Sequence, residues 1–214
     1  MAGHVSVKIL RDSDATADAE VPRAEFLKKA VVAGGAIAAG GVLLTGLPRL
    51  SSAAPSPSAG MDVEILNFLL MLERLQTAFY EDALGRRGIS GEMADFAETV
   101  VEHERAHVEH LEGVLGGDAE AEPSFDFGDS TASDEAFGKA ALMIEETTAA
   151  AYIGQGPNLT RDQILAASRI VSVEARHTAW MSDILRKDPA PHAADVAMSE
   201  KEVKEALRDQ GFIA

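Results

Sequence analysis

The sequence predicts an all-α protein whose centre is a four-helix bundle with a long central crossover. Two observations carry that expectation. Four stretches of roughly twenty or more residues place apolar side chains at the helical period, and no stretch alternates apolar and polar residues as a strand would. The composition agrees: only 5 % of the chain is aromatic, while Ala, Leu, Glu and Val are plentiful, which favours helix over sheet. The 214 residues are enough for one domain with a real core, and 46 % apolar with 25 % charged is ordinary globular composition.

The first elements are not domain structure. Residues 1–22 are polar and acidic and read as disordered. A basic patch follows (Arg23, Lys28, Lys29), then an uncharged Gly/Ala-rich run from Ala30 to Pro48, then a Ser/Ala/Pro-rich zone. Basic, apolar and small-residue zones in that order are the layout of an export signal. Ser51 and Ala53 fit the small-residue rule for a cut after Ala53. The stretch "RAEFLK" resembles a twin-arginine signal, with Ala24 where the second arginine is expected. The expected domain plan is therefore 1–53 disordered segment plus signal, 54–61 linker, 62–187 bundle, and 188–214 tail. The expected location is outside the cytoplasmic membrane, in the periplasm or cell envelope. An uncleaved signal would leave the protein membrane-associated, because the run is about the minimum length that spans a bilayer.

Four helices follow in order. The first is expected from Asp62 to Leu84, stopping at Gly85; its run Ile65 to Leu72 is apolar nearly all round and should be deeply buried. That run would also serve as a dimer face, so a homodimer is among the expected partners. The second runs from about Gly91 to Leu115, with an inward stripe of Phe96, Val100, Glu104, His107, Leu111 and Val114. A long acidic loop then crosses between helix pairs. Ser133 is the expected N-cap of the third helix, Asp134 to Tyr152, which "GQGPN" breaks. The fourth opens on a capping box, Thr160 with Gln163, and continues to about Lys187 before "DPAP". A second capping box, Ser199 with Glu202, announces a short C-terminal helix.

The bundle repeats itself. The first helix holds Glu73 and Tyr80, the third Glu145 and Tyr152, both in a Glu-x6-Tyr arrangement. The second and fourth each hold Glu-x-x-His: Glu104 with His107, and Glu174 with His177. The order Glu, Tyr, Glu-x-x-His thus occurs twice at nearly equal spacing. Residues i and i+3 lie about 60° apart around a helix, one turn along, so such a Glu and His can hold the same ion. Val100 and Leu111 flank one pair, Ile170 and Met181 the other, so these side chains should face the core. Four buried carboxylates repel one another and lose hydration unless cations lie among them. Two divalent ions balance four Glu formally. Di-iron and di-manganese bundles use this ligand set.

On these motifs, over roughly residues 62–187, the chain resembles the ferritin-like superfamily. It is most similar to exported bacterial ferritin-like domain proteins, with rubrerythrins and manganese catalases as relatives. The resemblance implies a dinuclear site carried by Glu73, Glu104, His107, Glu145, Glu174 and His177, holding two iron ions or, alternatively, two manganese ions. It also implies Glu104 and Glu145 as candidates to bridge or shift on oxidation; the sequence does not say which carboxylate bridges. The implied activity is oxidation of ferrous iron, or reaction with O₂ or peroxide. The alternative is a metal-binding or stress-protective protein without turnover.

The remaining residues have simpler expectations. His103 and His110 should lie on a flank as solvated or hydrogen-bonded surface histidines. Glu102, Glu109 and Glu112 should form a solvated face. Glu146 competes with Glu145, which the tyrosine register favours. Tyr80 and Tyr152 either serve the ligands, by hydrogen bonds or electron passage, or are core tyrosines with satisfied hydroxyls. Trp180 should pack in the core. Glu64 reads as a helix-start charge, and Arg105 and Arg176 as surface ion-pair formers. A formal charge of −16 excludes a basic nucleic-acid face. The absence of cysteine excludes disulfides, thiol catalysis and an attached rubredoxin-type centre.

Overall fold

The computed structural model describes residues 56–214. The expected signal, with its "RAEFLK" patch and cleavage zone, lies outside the described residues. Within them the chain forms five α-helices: α1 Ala59–Arg86, α2 Glu92–Leu115, α3 Asp134–Gln155, α4 Arg161–Ile184 and α5 Glu200–Asp209. Among the described residues no helix is long and apolar enough to cross a membrane.

The caps explain where the helices differ from expectation. Ser58 accepts from the Met61 N–H (3.4 Å), so α1 starts inside the expected linker. It also passes Gly85 and closes on Arg87, whose φ of 55° is left-handed. Ser133 caps α3 as expected, accepting from Ala136. The Ser199–Glu202 box forms at α5. The Thr160–Gln163 box does not form. Instead the Thr160 N–H and hydroxyl both donate to the buried Asp62 carboxylate, at 2.9 and 2.5 Å. A charged acceptor brought in from α1 outcompetes the local cap.

Gly154 does not break α3. The C-terminal tail crosses the helix there, with Met198 N–H donating to the Ala150 carbonyl (3.0 Å). A Cβ on Gly154 would lie 2.0 Å from the Met198 carbonyl oxygen, so this residue lets two backbones meet.

α1 pairs with α2 and α3 with α4. The crossover between the pairs runs along α1, pinned in sequence by Asn67 (to Asp118 and Glu120), Arg74 (to Glu120) and Arg86 (to Gly128). Ser90, just after α1, then meets Asp134 at the start of α3, and Thr160 meets Asp62 at the other end. The helices therefore run up, down, down, up.

Residues Ile65 to Leu72 are buried except for the partly covered Met71. The upper core is aromatic: Phe79, Tyr80, Phe96, Phe127, Phe137 and the tail's Phe212 pack at ring separations of 5.3–6.2 Å. Two expected core residues are not there. Val114 is 37 % exposed and Leu115 is buried in its place, because eleven residues after Glu104 complete three helical turns and ten do not. Trp180 is 38 % exposed, covering Phe96 from outside at 4.9 Å.

Candidate metal centre

Each of the four long helices delivers one glutamate to the middle of the bundle. Glu73, Glu104, Glu145 and Glu174 are all 0 % exposed, and His107 and His177 are buried beside them. Val100, Leu111, Ile170 and Met181, buried on α2 and α4, flank the two Glu-x-x-His pairs as the period requires.

The ligand-type atoms fall into two groups of four. Glu73, Glu104, His107 and Glu174 form one; Glu104, Glu145, Glu174 and His177 form the other. Within each group the atoms lie within 4.8 Å of one another. Glu104 and Glu174 belong to both groups, and Glu145 to only one. The two carboxylates common to both groups are therefore those of the Glu-x-x-His motifs. Those motifs sit on α2 and α4, whose equivalent positions face each other across the site.

His107 Nδ1 stands 2.9 Å from Glu104 Oε2, 3.1 Å from Glu73 Oε2 and 3.2 Å from Glu174 Oε1. His177 Nδ1 stands 3.1 Å from Glu104 Oε1 and 3.5 Å from Glu145 Oε2. Yet His177 Nδ1, Glu104 Oε1 and Glu174 Oε1 are buried without a hydrogen-bond partner. Atoms this close that do not point at each other converge on a space between them, as ligand lone pairs do. The residues fit two divalent cations in charge, donor type and aim.

Protons stand in for that charge when no cation is present. Burial first, then the neighbouring Glu104 charge, raises the Glu73 carboxyl to about 7 against the pull of His107. Burial and the Glu73 charge raise Glu174 to about 8. Burial opposes protonation of the histidines, but the surrounding carboxylates outweigh it, lifting His107 to about 12 and His177 to about 10.

The tyrosines cross over. The Tyr80 hydroxyl on α1 donates to Glu145 on α3. The Tyr152 hydroxyl on α3 donates to Glu73 on α1 (2.5 Å). Burial and these carboxylates push both phenols well above their usual range. Of the two glutamates that compete on α3, Glu145 is buried and Glu146 is exposed.

Two further residues join the site. Gln76, fully buried on α1, donates from Nε2 to Glu145 Oε2 (3.1 Å) and Glu174 Oε2 (3.0 Å). Its place three residues after Glu73, the same offset that joins His107 to Glu104, was the available signal. His103 lies at the surface of α2, as expected, but its Nδ1 meets His177 Nε2 at 2.9 Å. His110, Glu102, Glu109 and Glu112 are exposed; Arg105 pairs with Glu81 and Glu102 on the outside, and Arg176 is exposed.

A bundle of four long helices around a buried Glu/His cluster, with one long crossover, is the ferritin-like class of helical protein. The ferritin-like domain family matches residues 61–187, and the chain belongs to it. No curated protein matches the sequence.

Proposed function

We propose that the protein is a dinuclear iron or manganese carboxylate protein that oxidises ferrous iron or consumes O₂ or peroxide. One observation carries the reading: the two four-atom groups share Glu104 and Glu174. Two ions held there would share carboxylates and lie near each other, which suits two-electron chemistry. When bound, the metals supply the electrons and the Lewis acidity.

The chain's own residues hold the site. Glu73 with His107 would hold one ion from the outside, and Glu145 with His177 the other. Tyr152 and Tyr80 hold the outer oxygens of Glu73 and Glu145 in place. Gln76 fixes Glu145 relative to Glu174. The aliphatic side chains on α2 and α4 limit water around the carboxylates. The acidic surface raises the local cation concentration. Export across the cytoplasmic membrane is part of the proposal, supported by the basic, apolar and small-residue order of residues 23–53.

The test is O₂ and peroxide consumption by protein loaded anaerobically with Fe²⁺ or Mn²⁺. Turnover by wild type and none by His107→Ala supports the reading; equal turnover by His107→Ala contradicts it. The near-complete burial of all six side chains also suits a protein that holds metal without turnover. Stoichiometric uptake with no O₂ or peroxide consumed would select that second reading.

A further inference from the structure

The two halves of the centre are built from a repeat, but their surroundings are not equal. Aligning Glu73 with Glu145 sets Gln76 opposite Thr148. Aligning Glu104 with Glu174 sets His103 opposite Val173. Gln76 donates to Glu145, which belongs to the His177 group alone, and to Glu174, which both groups share; it does not reach Glu73. His103 bonds only His177, and Val173 offers His107 no nitrogen in return.

The His103–His177 contact has a specific form. The ring planes lie within 9° and the centroids are 5.2 Å apart, with the two nitrogens at 2.9 Å. That separation is the nitrogen–nitrogen distance plus one ring radius on each side. The rings therefore meet head-on and nearly in one plane, with a nitrogen of each on the line between centroids. This is a hydrogen bond, not a face-to-face stack. His177 turns Nδ1 toward Glu104 and Glu145, where an ion would take its lone pair; with Nδ1 so engaged the ring proton lies on Nε2, and His103 Nδ1 accepts it. Metal-ligating histidines are commonly oriented by such a partner on the far nitrogen.

Building on the dinuclear reading, we infer that His103 is a positioning residue for His177. It fixes the ring's tautomer and direction, and with Gln76 it makes the His177 metal position the tighter of the two. The position at His107, whose unshared residues Glu73 and His107 have neither partner, fills second.

The inference is tested by anaerobic titration of the metal-free protein with Co²⁺, a redox-stable probe, followed by calorimetry. Wild type should bind in two unequal steps. His103→Leu should weaken the tighter step by about 10–100-fold and leave the other unchanged. His103→Asn, which keeps an acceptor near the Nδ1 place, should restore most of the loss. A second readout needs no metal: the ¹⁵N-coupled Nε2 proton of His177 should be visible and slow to exchange in wild type and His103→Asn, and lost in His103→Leu. His103 is at the surface, so these variants test the contact rather than the fold. Wild type that binds no Co²⁺ contradicts the dinuclear reading and the inference with it. Wild type and His103→Leu binding two ions with the same isotherm overturns the inference alone.

Discussion

The hydroxyl of Tyr80 on α1 donates a hydrogen bond to the Glu145 carboxylate on α3. Its repeat-mate Tyr152 returns the contact to Glu73. Each half of the repeat thus holds a buried carboxylate of the other. Tyr80→Phe and Tyr152→Phe would each leave a buried carboxylate oxygen without its donor. Each should lower the unfolding free energy by about 1–3 kcal/mol, read from urea midpoints. A cost near zero for either would mean that its hydroxyl does not hold the bundle together.

The shared and unshared carboxylates should differ in metal stoichiometry. Glu104→Gln removes a ligand from both groups, so it should bind less than about one ion per chain. Glu145→Gln touches one group and should retain about one. Equal losses from the two variants would show that Glu104 is not shared.

Stability of the metal-free protein should fall as pH rises. Glu73 and Glu174 have folded values raised to about 7 and about 8 from an ordinary 4.5. Between those limits the folded chain keeps protons that the unfolded chain has released, so stability is lost with rising pH. The His107 and His177 contributions are fully present below their ordinary 6.5. They are lost as pH rises toward about 12 and about 10. All four slopes have the same sign. Thermal unfolding of chelator-treated protein should therefore show a falling Tm from about pH 5 to about pH 9. Added divalent cation should oppose that fall most at the high end, because metal displaces the protons. A Tm that rises across the range would contradict the protonated cluster.

The ties outside the site have their own cost. Asp62→Ala leaves the Thr160 N–H without its partner at the start of α4 and should cost about 1–3 kcal/mol. Gly154→Ala should be comparably damaging, because backbone rather than a flexible side chain faces the new methyl. Denaturant unfolding measures both, and a wild-type midpoint for Gly154→Ala would show that the tail does not dock where Met198 lies.

The helices and the six ligand-type residues were legible because each depends on spacing within one helix. Glu-x-x-His needs only the helical pitch, and its duplication made chance coincidence a poor explanation. What crosses between helices was not legible. The Glu-x6-Tyr register aligned each tyrosine with the glutamate of its own helix, whereas the hydroxyl reaches the other helix. The His103 phase put it on a flank correctly, but only the approach of α4 brings His177 to it. The Thr160 box failed for the same reason: Asp62 is remote in sequence and adjacent in space. Val114 differs for a local reason: ten residues after Glu104 falls out of phase with the buried stripe, and eleven does not.

A dinuclear centre in which Glu104 and Glu174 are shared is read most simply by metal analysis. The protein should be purified from its native compartment beside a His107→Ala/His177→Ala double variant. About two iron or manganese ions are expected per wild-type chain, with both lost in the variant. Native protein without metal, which also takes up none on incubation with Fe²⁺ or Mn²⁺, would contradict it.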